Sequence, residues 1–109
     1  MLKFGLLCTN QGRWKNQQII SQNWIERSLQ FYFTAVADSK TYYSYQFWGA
    51  NVNINNSQVK AFGAWGNGGQ WIVIVPSLEL VVVAIAGNYN NPSLSDQAYD
   101  MIANEIIRQ

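Results

Sequence analysis

The stretch that most constrains this chain is Trp65 to Gly87, WGNGGQWIVIVPSLELVVVAIAG. Two apolar runs, Gln70–Val75 and Leu80–Ala86, are joined by Pro76-Ser77-Leu78-Glu79, and Gly66-Asn67-Gly68-Gly69 stands before the first. Both runs are rich in Val and Ile, too short for independent helices, and bounded by turn residues, so they read as buried strands. Asn67-Gly68 is the strongest short-range hairpin signal in the sequence, and it returns a strand begun at Val59–Trp65 as Gln70–Val75. The remainder of the chain reads as cover for this sheet or as part of a site edge.

Composition narrows the chemistry. At 109 residues the chain has the length of one ordinary domain. It is 49% hydrophobic and only 12% charged, against about a quarter charged in typical domains. Five Trp, six Tyr and five Phe supply large buried area and imply some contact surface. A net charge of +1 without a basic run gives no case for nucleic acid or an anionic membrane. One cysteine, Cys8, rules out an internal disulfide and a cysteine-rich metal site. Histidine is absent, which removes the commonest general base and metal ligand, so a Ser-His-Asp triad within the chain is impossible. No apolar stretch approaches the roughly 18 residues of a membrane span. Met1-Leu2-Lys3-Phe4 lacks signal-peptide features and reads as a start in mid-helix, so the compartment stays unassigned.

In chain order, Leu2, Phe4, Leu6 and Leu7 predict a short helix to about Thr9, stopped by Asn10-Gln11-Gly12. Arg13–Asn16 is a turn and Ile19-Ile20 a short extended piece. Ser21 is suited to cap a second helix over Gln22–Leu29, since its hydroxyl can accept from first-turn amides. Phe31–Lys40 reads as a loop. Thr41–Val52 is β-prone, with Tyr43, Tyr45 and Phe47 expected on one face and Tyr42, Gln46 and Trp48 on the other. Asn51–Ser57 is turn-forming, and Gly87–Pro92 is a loop. Ser93 or Ser95 is expected to cap a final helix with a stripe of Ala98, Met101, Ile102, Ile106 and Ile107. There is no internal repeat or linker.

Two blocks together resemble a known family. KFGLL…GRW…IIS…W within Met1–Ser28 is similar to the helix-turn-helix after the second motif of serine β-lactamase and penicillin-binding-protein-like hydrolases. GNGGQ, VPSLELVVV and AGNYN within Gly66–Asn90 resemble that family's third-motif hairpin and last strands. The aromatic Tyr43–Trp48 lies where relatives carry a Tyr/Trp-rich strand, and the branch resembled is the class C β-lactamases with their related esterases and amidohydrolases.

The resemblance implies an acyl-enzyme mechanism: a Ser of Ser-x-x-Lys attacks a carbonyl, and a Lys and a Tyr of Tyr-x-Asn manage the proton. Its third motif, Lys-Thr-Gly or His-x-Gly, edges the cleft and gives a backbone amide to the oxyanion hole. Only that motif is carried over. Ala64-Trp65-Gly66, followed by Asn67 and Gly68, takes its place as the substrate-cleft and oxyanion edge. Without the same hairpin length, Ala61-Phe62-Gly63 would align instead. Ala64 stands where the basic residue would be, which leans away from β-lactam carboxylate recognition and towards an esterase or amidase. Trp65 is the residue most expected to touch substrate. Tyr43, Tyr45, Trp48 and Gln70 read either as structural residues or as cleft wall.

Two strings match the missing motifs by pattern alone. Ser57-Gln58-Val59-Lys60 fits Ser-x-x-Lys but follows a polar turn and leads into a strand, whereas the catalytic version needs a helix N-terminus. Tyr89-Asn90-Asn91 fits Tyr-x-Asn but comes after the hairpin, out of the family's order, and reads as a turn. Asp38, Glu79, Asp96, Asp100 and Glu105 show no paired metal-ligand spacing, and Cys8 reads as a packed small hydrophobe. No cofactor, metal or catalytic residue is assigned within the chain.

The expected fold is therefore α+β: an antiparallel sheet of three to four strands in sequence order, a C-terminal helix on one face, and two short N-terminal helices. It is a single partial domain over 1–109, with a helix-turn-helix at 1–30 and the sheet with its helix at 41–109. The resemblance implies the C-terminal segment of a serine hydrolase, inactive alone. The alternative is a non-catalytic structural or interaction module that keeps part of the fold. In the family the last strand neighbours a strand from the N-terminal end. The expected partners are therefore that missing N-terminal part, or a second copy pairing along Leu80–Ala86. Relatives are often periplasmic or secreted.

Overall fold

Turn chemistry sets most of the boundaries seen in the computed structural model, which describes residues 1–35 and 41–107. Helix α1 (Leu2–Thr9) ends where Gln11 and Gly12 take positive φ, and the Gly12 amide donates to the Leu7 carbonyl. The short strands β1 (Arg13–Trp14) and β2 (Gln17–Gln18) then pair around Lys15, at φ 52°. Ile19 and Ile20 follow as irregular chain, both amides bound to the Gly12 carbonyl. Ser21 Oγ accepts from the Trp24 amide at 3.2 Å and opens α2 (Gln22–Ser28).

Among the described residues six strands follow: β3 (Phe33–Thr34), β4 (Thr41–Tyr43), β5 (Trp48–Ile54), β6 (Ser57–Gly66), β7 (Gln70–Val75) and β8 (Leu80–Ala84). They form one antiparallel sheet in sequence order. The four long strands make up the sheet expected from the sequence, and β3 and β4 extend it with two and three residues. After Asn91-Pro92, α3 (Pro92–Met101) continues into a π-helical turn, Ile102–Ile107.

Several expectations are corrected. Thr41–Val52 is not one strand, because Ser44–Phe47 turns the chain: the Ser44 amide donates to the Phe47 carbonyl and Gln46 has φ 68°. Tyr43 consequently faces Trp48 across the hairpin and does not share a side with Tyr45. The turn expected over Asn51–Ser57 contracts to Asn55-Asn56. Both have positive φ, as a two-residue primed turn demands, so Ser57 already pairs with Ile54. The last strand stops at Ala84, two residues short of the expected end. The cap of α3 is Asn91, not Ser93 or Ser95: its Oδ1 accepts from the Leu94 amide while Pro92, which has no N–H to satisfy, occupies the first turn. Asp38 and part of the Phe31–Lys40 loop lie outside the described residues.

Strand alternation gives the sheet two apolar faces. Val52, Ala61, Trp71, Val73 and Val75 pack with Ile102 and Ile107 on the α3 side. Phe62, Ile72 and Ile74 pack with Cys8, Ile25 and Phe47 on the α1–α2 side. Gly5 lets α1 lie close on this second face, where an added Cβ would stand 2.5 Å from Val81 Cγ1 and 3.1 Å from Ile72 Cγ2.

Candidate cleft edge at the β6–β7 hairpin

The β6–β7 hairpin closes through Asn67-Gly68-Gly69, with Gly66 opposite Gln70 and Trp65 opposite Trp71. Gly68 and Gly69 carry φ of 121° and 86°, so the glycines supply the left-handed backbone here. A Cβ at Gly68 would also meet the Tyr89 ring at 2.9 Å. Asn67 Nδ2 donates to Asn90 Oδ1 at 2.9 Å, and the Asn90 amide donates back to Asn67 Oδ1 at 3.0 Å. The Asn88 amide donates to the Gly68 carbonyl, and Gln70 Nε2 donates to the Ala86 carbonyl at 2.6 Å. The hairpin tip is thus tied to the loop between β8 and α3.

The residues expected at the cleft edge divide between the two faces. Ala64 packs with the α1–α2 cluster, half-buried. Gln70 is opposite Gly66 and, two residues before Ile72, is on that same face. Trp65 points to the α3 side, where it is 43% exposed and stacks on Trp48 with centroids 4.2 Å apart. Tyr43 meets Trp48 edge-on at 4.7 Å, Trp65 meets Trp71 at 4.9 Å, and Trp71 meets Tyr99 of α3 at 5.1 Å. Tyr45 belongs to a separate group, 5.3 Å from Trp24 and 5.5 Å from Tyr32.

Four of the five rings, Trp48, Trp65, Trp71 and Tyr99, line a groove of about 220 Å³ together with Ala50, Ala61, Gly63 and Asp96. Small residues between large rings leave space for an apolar group, and the exposed Asp96 is the one acidic residue in the lining. Of the residues named from the sequence as cleft residues, Trp48 and Trp65 line this groove; Trp71, Tyr99 and Asp96 line it too and were not among them. A signal for Trp71 exists, since Trp65 and Trp71 are equidistant from Gly68 and so cross-strand partners. Nothing in the sequence signals Tyr99.

A larger space of about 570 Å³ opens at the opposite end of the sheet, lined by residues including Cys8, Glu26, Lys60 and Glu79. Of the residues expected at the site, only Phe62 of the alternative alignment borders it. Burial pushes the Cys8 thiol up to about 11 from 9.0, which leaves it protonated and unreactive near neutral pH. Ser57 and Lys60 both lie on β6. Three steps along a strand put their side chains on opposite faces, so the lysine amine is not held beside the serine oxygen. Tyr89-Asn90-Asn91 lies between β8 and α3, with Asn90 and Asn91 engaged as described. Among the described residues, no three His, Cys, Asp or Glu side chains gather where they could hold a metal ion. No helix among them is long and apolar enough to cross a membrane.

No family model and no curated protein matches the chain. Among solved structures it is similar to one titled "Putative 6-aminohexanoate-dimer hydrolase from Bacillus anthracis", at a TM-score of 0.68 and 24% sequence identity. The match covers 96% of this chain and 28% of that chain, so the sequence spans less than a third of its neighbour's length. This likeness establishes the fold alone: the α+β unit, an antiparallel sheet with a C-terminal helix and short N-terminal helices, corresponds to part of that longer chain.

Proposed function

We propose that this chain is the C-terminal segment of a β-lactamase-related serine hydrolase, a single partial domain over residues 1–109. It contributes the third-motif strand and one edge of the cleft, and the nucleophile comes from elsewhere in the complete protein. The observation that carries this reading is the fold likeness over 96% of the chain to 28% of a hydrolase. The glycine hairpin of β6 and β7 agrees with it. Ala64, Trp65, Gly66, Asn67 and Gly68 form the cleft edge in this reading; of the wall residues expected with it, Tyr43 stands on the Trp65 face, whereas Tyr45 sits apart with Trp24 and Gln70 lies on the α1–α2 face.

The chemistry supports a division of labour. Acyl transfer needs a nucleophile, a base held against it and an oxyanion donor pair. This chain has no histidine and no helix-borne Ser-x-x-Lys, so it offers the strand edge alone. Ala64 carries no charge to recognise a substrate carboxylate. With the neighbour named for a 6-aminohexanoate dimer, linear amides and simple esters are the substrates to try first on the complete protein. The completing segment is expected to meet the sheet at β8, whose outer edge carries no described strand.

Nitrocefin and p-nitrophenyl acetate, incubated with the purified chain, are expected to turn over no faster than in buffer. Turnover that disappears on mutating a residue of this chain would overturn the proposal. A second reading, a non-catalytic module retaining the fold, is favoured by one observation. The polar hairpin side chains Asn67 and Gln70 are both engaged in holding the hairpin to the following loop. In-frame Ser-x-x-Lys and Tyr-x-Asn motifs upstream in the native gene select the first reading, and a ribosome site at Met1 selects the second.

A further inference from the structure

We infer that Asn67 is a deamidation site held latent by the fold, and that Asn90 is the residue that holds it. Asn67-Gly68 is the one Asn-Gly pair in the sequence. Glycine has no Cβ to shield its amide nitrogen, so this pair closes to a succinimide more readily than any other Asn-x pair. In that step the Gly68 nitrogen attacks Asn67 Cγ, the bond from Cγ to Nδ2 breaks, and the nitrogen's proton leaves with the ammonia. Water then opens the ring at either carbonyl, leaving aspartate or isoaspartate at position 67. Water is the sole co-reactant, and Asn67 is exposed to it at the hairpin tip.

Both reacting groups are held by the same loop. Nδ2 of Asn67, the leaving group, donates to Asn90 Oδ1 at 2.9 Å, and Asn67 Oδ1 accepts from the Asn90 amide at 3.0 Å. A carboxamide bound at both ends cannot turn its carbon towards Gly68 without breaking those bonds. Gly68 is buried, and its carbonyl accepts from the Asn88 amide. It lies so close to Gln70 and Tyr89 that an added Cβ would stand 2.9 Å from each. The nucleophile is therefore packed in place while the loop between β8 and α3 stays docked.

Reaction then tracks the population in which that loop has let go. Two exposed hydrogen bonds opened together hold this population down by about 5–30-fold. Asn56, before the small Ser57 in the β5–β6 turn, is the contrast. It is exposed, and no side-chain hydrogen bond holds it among the described residues. The consequence at Asn67 is irreversible. Isoaspartate adds a methylene to the main chain inside a turn whose ends, Gly66 and Gln70, are paired. This latch does not depend on the hydrolase reading.

The purified chain is incubated in mildly alkaline buffer, folded or in urea, and the one-dalton gain at each asparagine is followed by peptide mass spectrometry. Asn67 is expected to react about 5–30-fold more slowly in the folded chain. Asn90→Gly keeps the backbone amide and suits the φ of 58° but removes the Oδ1 acceptor. It is expected to speed Asn67 about fivefold in the folded chain. Asn90→Asp keeps an oxygen for Asn67 Nδ2 and should leave the rate at that of the unsubstituted chain. Asn56 is the internal reference, unmoved by either change. Equal rates at Asn67 in the folded and unfolded chain overturn the proposal. So does an Asn90→Gly chain in which Asn67 is no faster, or in which Asn56 gains the same factor through general unfolding. Asn90→Asp as fast as Asn90→Gly overturns it as well.

Discussion

Asn67 shows how a residue at the proposed cleft edge can be occupied by the fold. Both ends of its amide are used, one donating to the Asn90 side chain and one accepting from the Asn90 backbone. Hydrogen bonds of this kind contribute about 0.5–1.5 kcal/mol each, and solvent exposure puts these at the lower end. Asn67→Ala is therefore expected to lower stability by about 1 kcal/mol, read as a smaller urea midpoint at unchanged slope. Asn67→Ala that leaves the midpoint where it was would remove the hairpin-to-loop tie as a stabilising contact. Cys8 gives a pH signature. Its folded pKa, raised by burial to about 11, lies above the ordinary 9.0. Between those values the unfolded chain ionises first, so stability is complete below about pH 9 and falls towards pH 11. Cys8→Ala should flatten that slope in denaturation curves at stepped pH. An unchanged slope would assign the loss to other groups.

At the scale of the element, the C-terminal helix departs furthest from its sequence pattern. An α-helical stripe was expected to carry Met101 and Ile106 inward, yet they are 54% and 42% exposed, while Ile102 and Ile107 are 0% and 3% exposed. Residues five apart stand about 140° apart around an α-helix. The π-helical turn, whose bonds run from i to i+5, brings such a pair to one side. Val52, Val73 and Val75 receive both isoleucines. Ile102→Ala leaves a void under a fully buried position and is expected to cost about 2–5 kcal/mol, a large share of the stability of a domain this size. Met101→Ala should cost well under 1 kcal/mol, as surface changes do. Equal losses at the two positions would mean that the helix keeps α-helical register in solution.

The six-stranded sheet has cover on both faces, and the helices share it. Cys8 of α1 and Ile25 of α2 pack with Ile72 and Ile74, while Trp71 and Val73 of the same strand pack with the α3 side. Tryptophan fluorescence and far-ultraviolet circular dichroism are accordingly expected to report one coincident unfolding transition. An earlier loss of the α1–α2 signal would show that face to be an independent unit. At this scale the sheet also has two open features, the groove beside Trp48 and Trp65 and the outer edge of β8, which no other strand among the described residues pairs with.

The elements were largely legible in the sequence because their causes are local. The αL stop after Thr9, the Ser21 cap, the glycine hairpin and the apolar β7 run each depend on a few adjacent residues. Alternation and turn residues marked the strands themselves, while their order in the sheet was expected only from the family resemblance. Where local signals were ambiguous, tertiary contacts decided. Ser44–Phe47 bends an aromatic run that alternation alone would keep straight, and Phe47 gains a buried place against Phe62 and Ile72. The π turn exists because two isoleucines gain the core together. Only the tertiary structure could place Ala64 and Trp65 on opposite faces of a defined sheet, set Tyr99 against Trp71, and join Asn67 to Asn90. Those contacts span long separations in the chain, and no short-range preference encodes them.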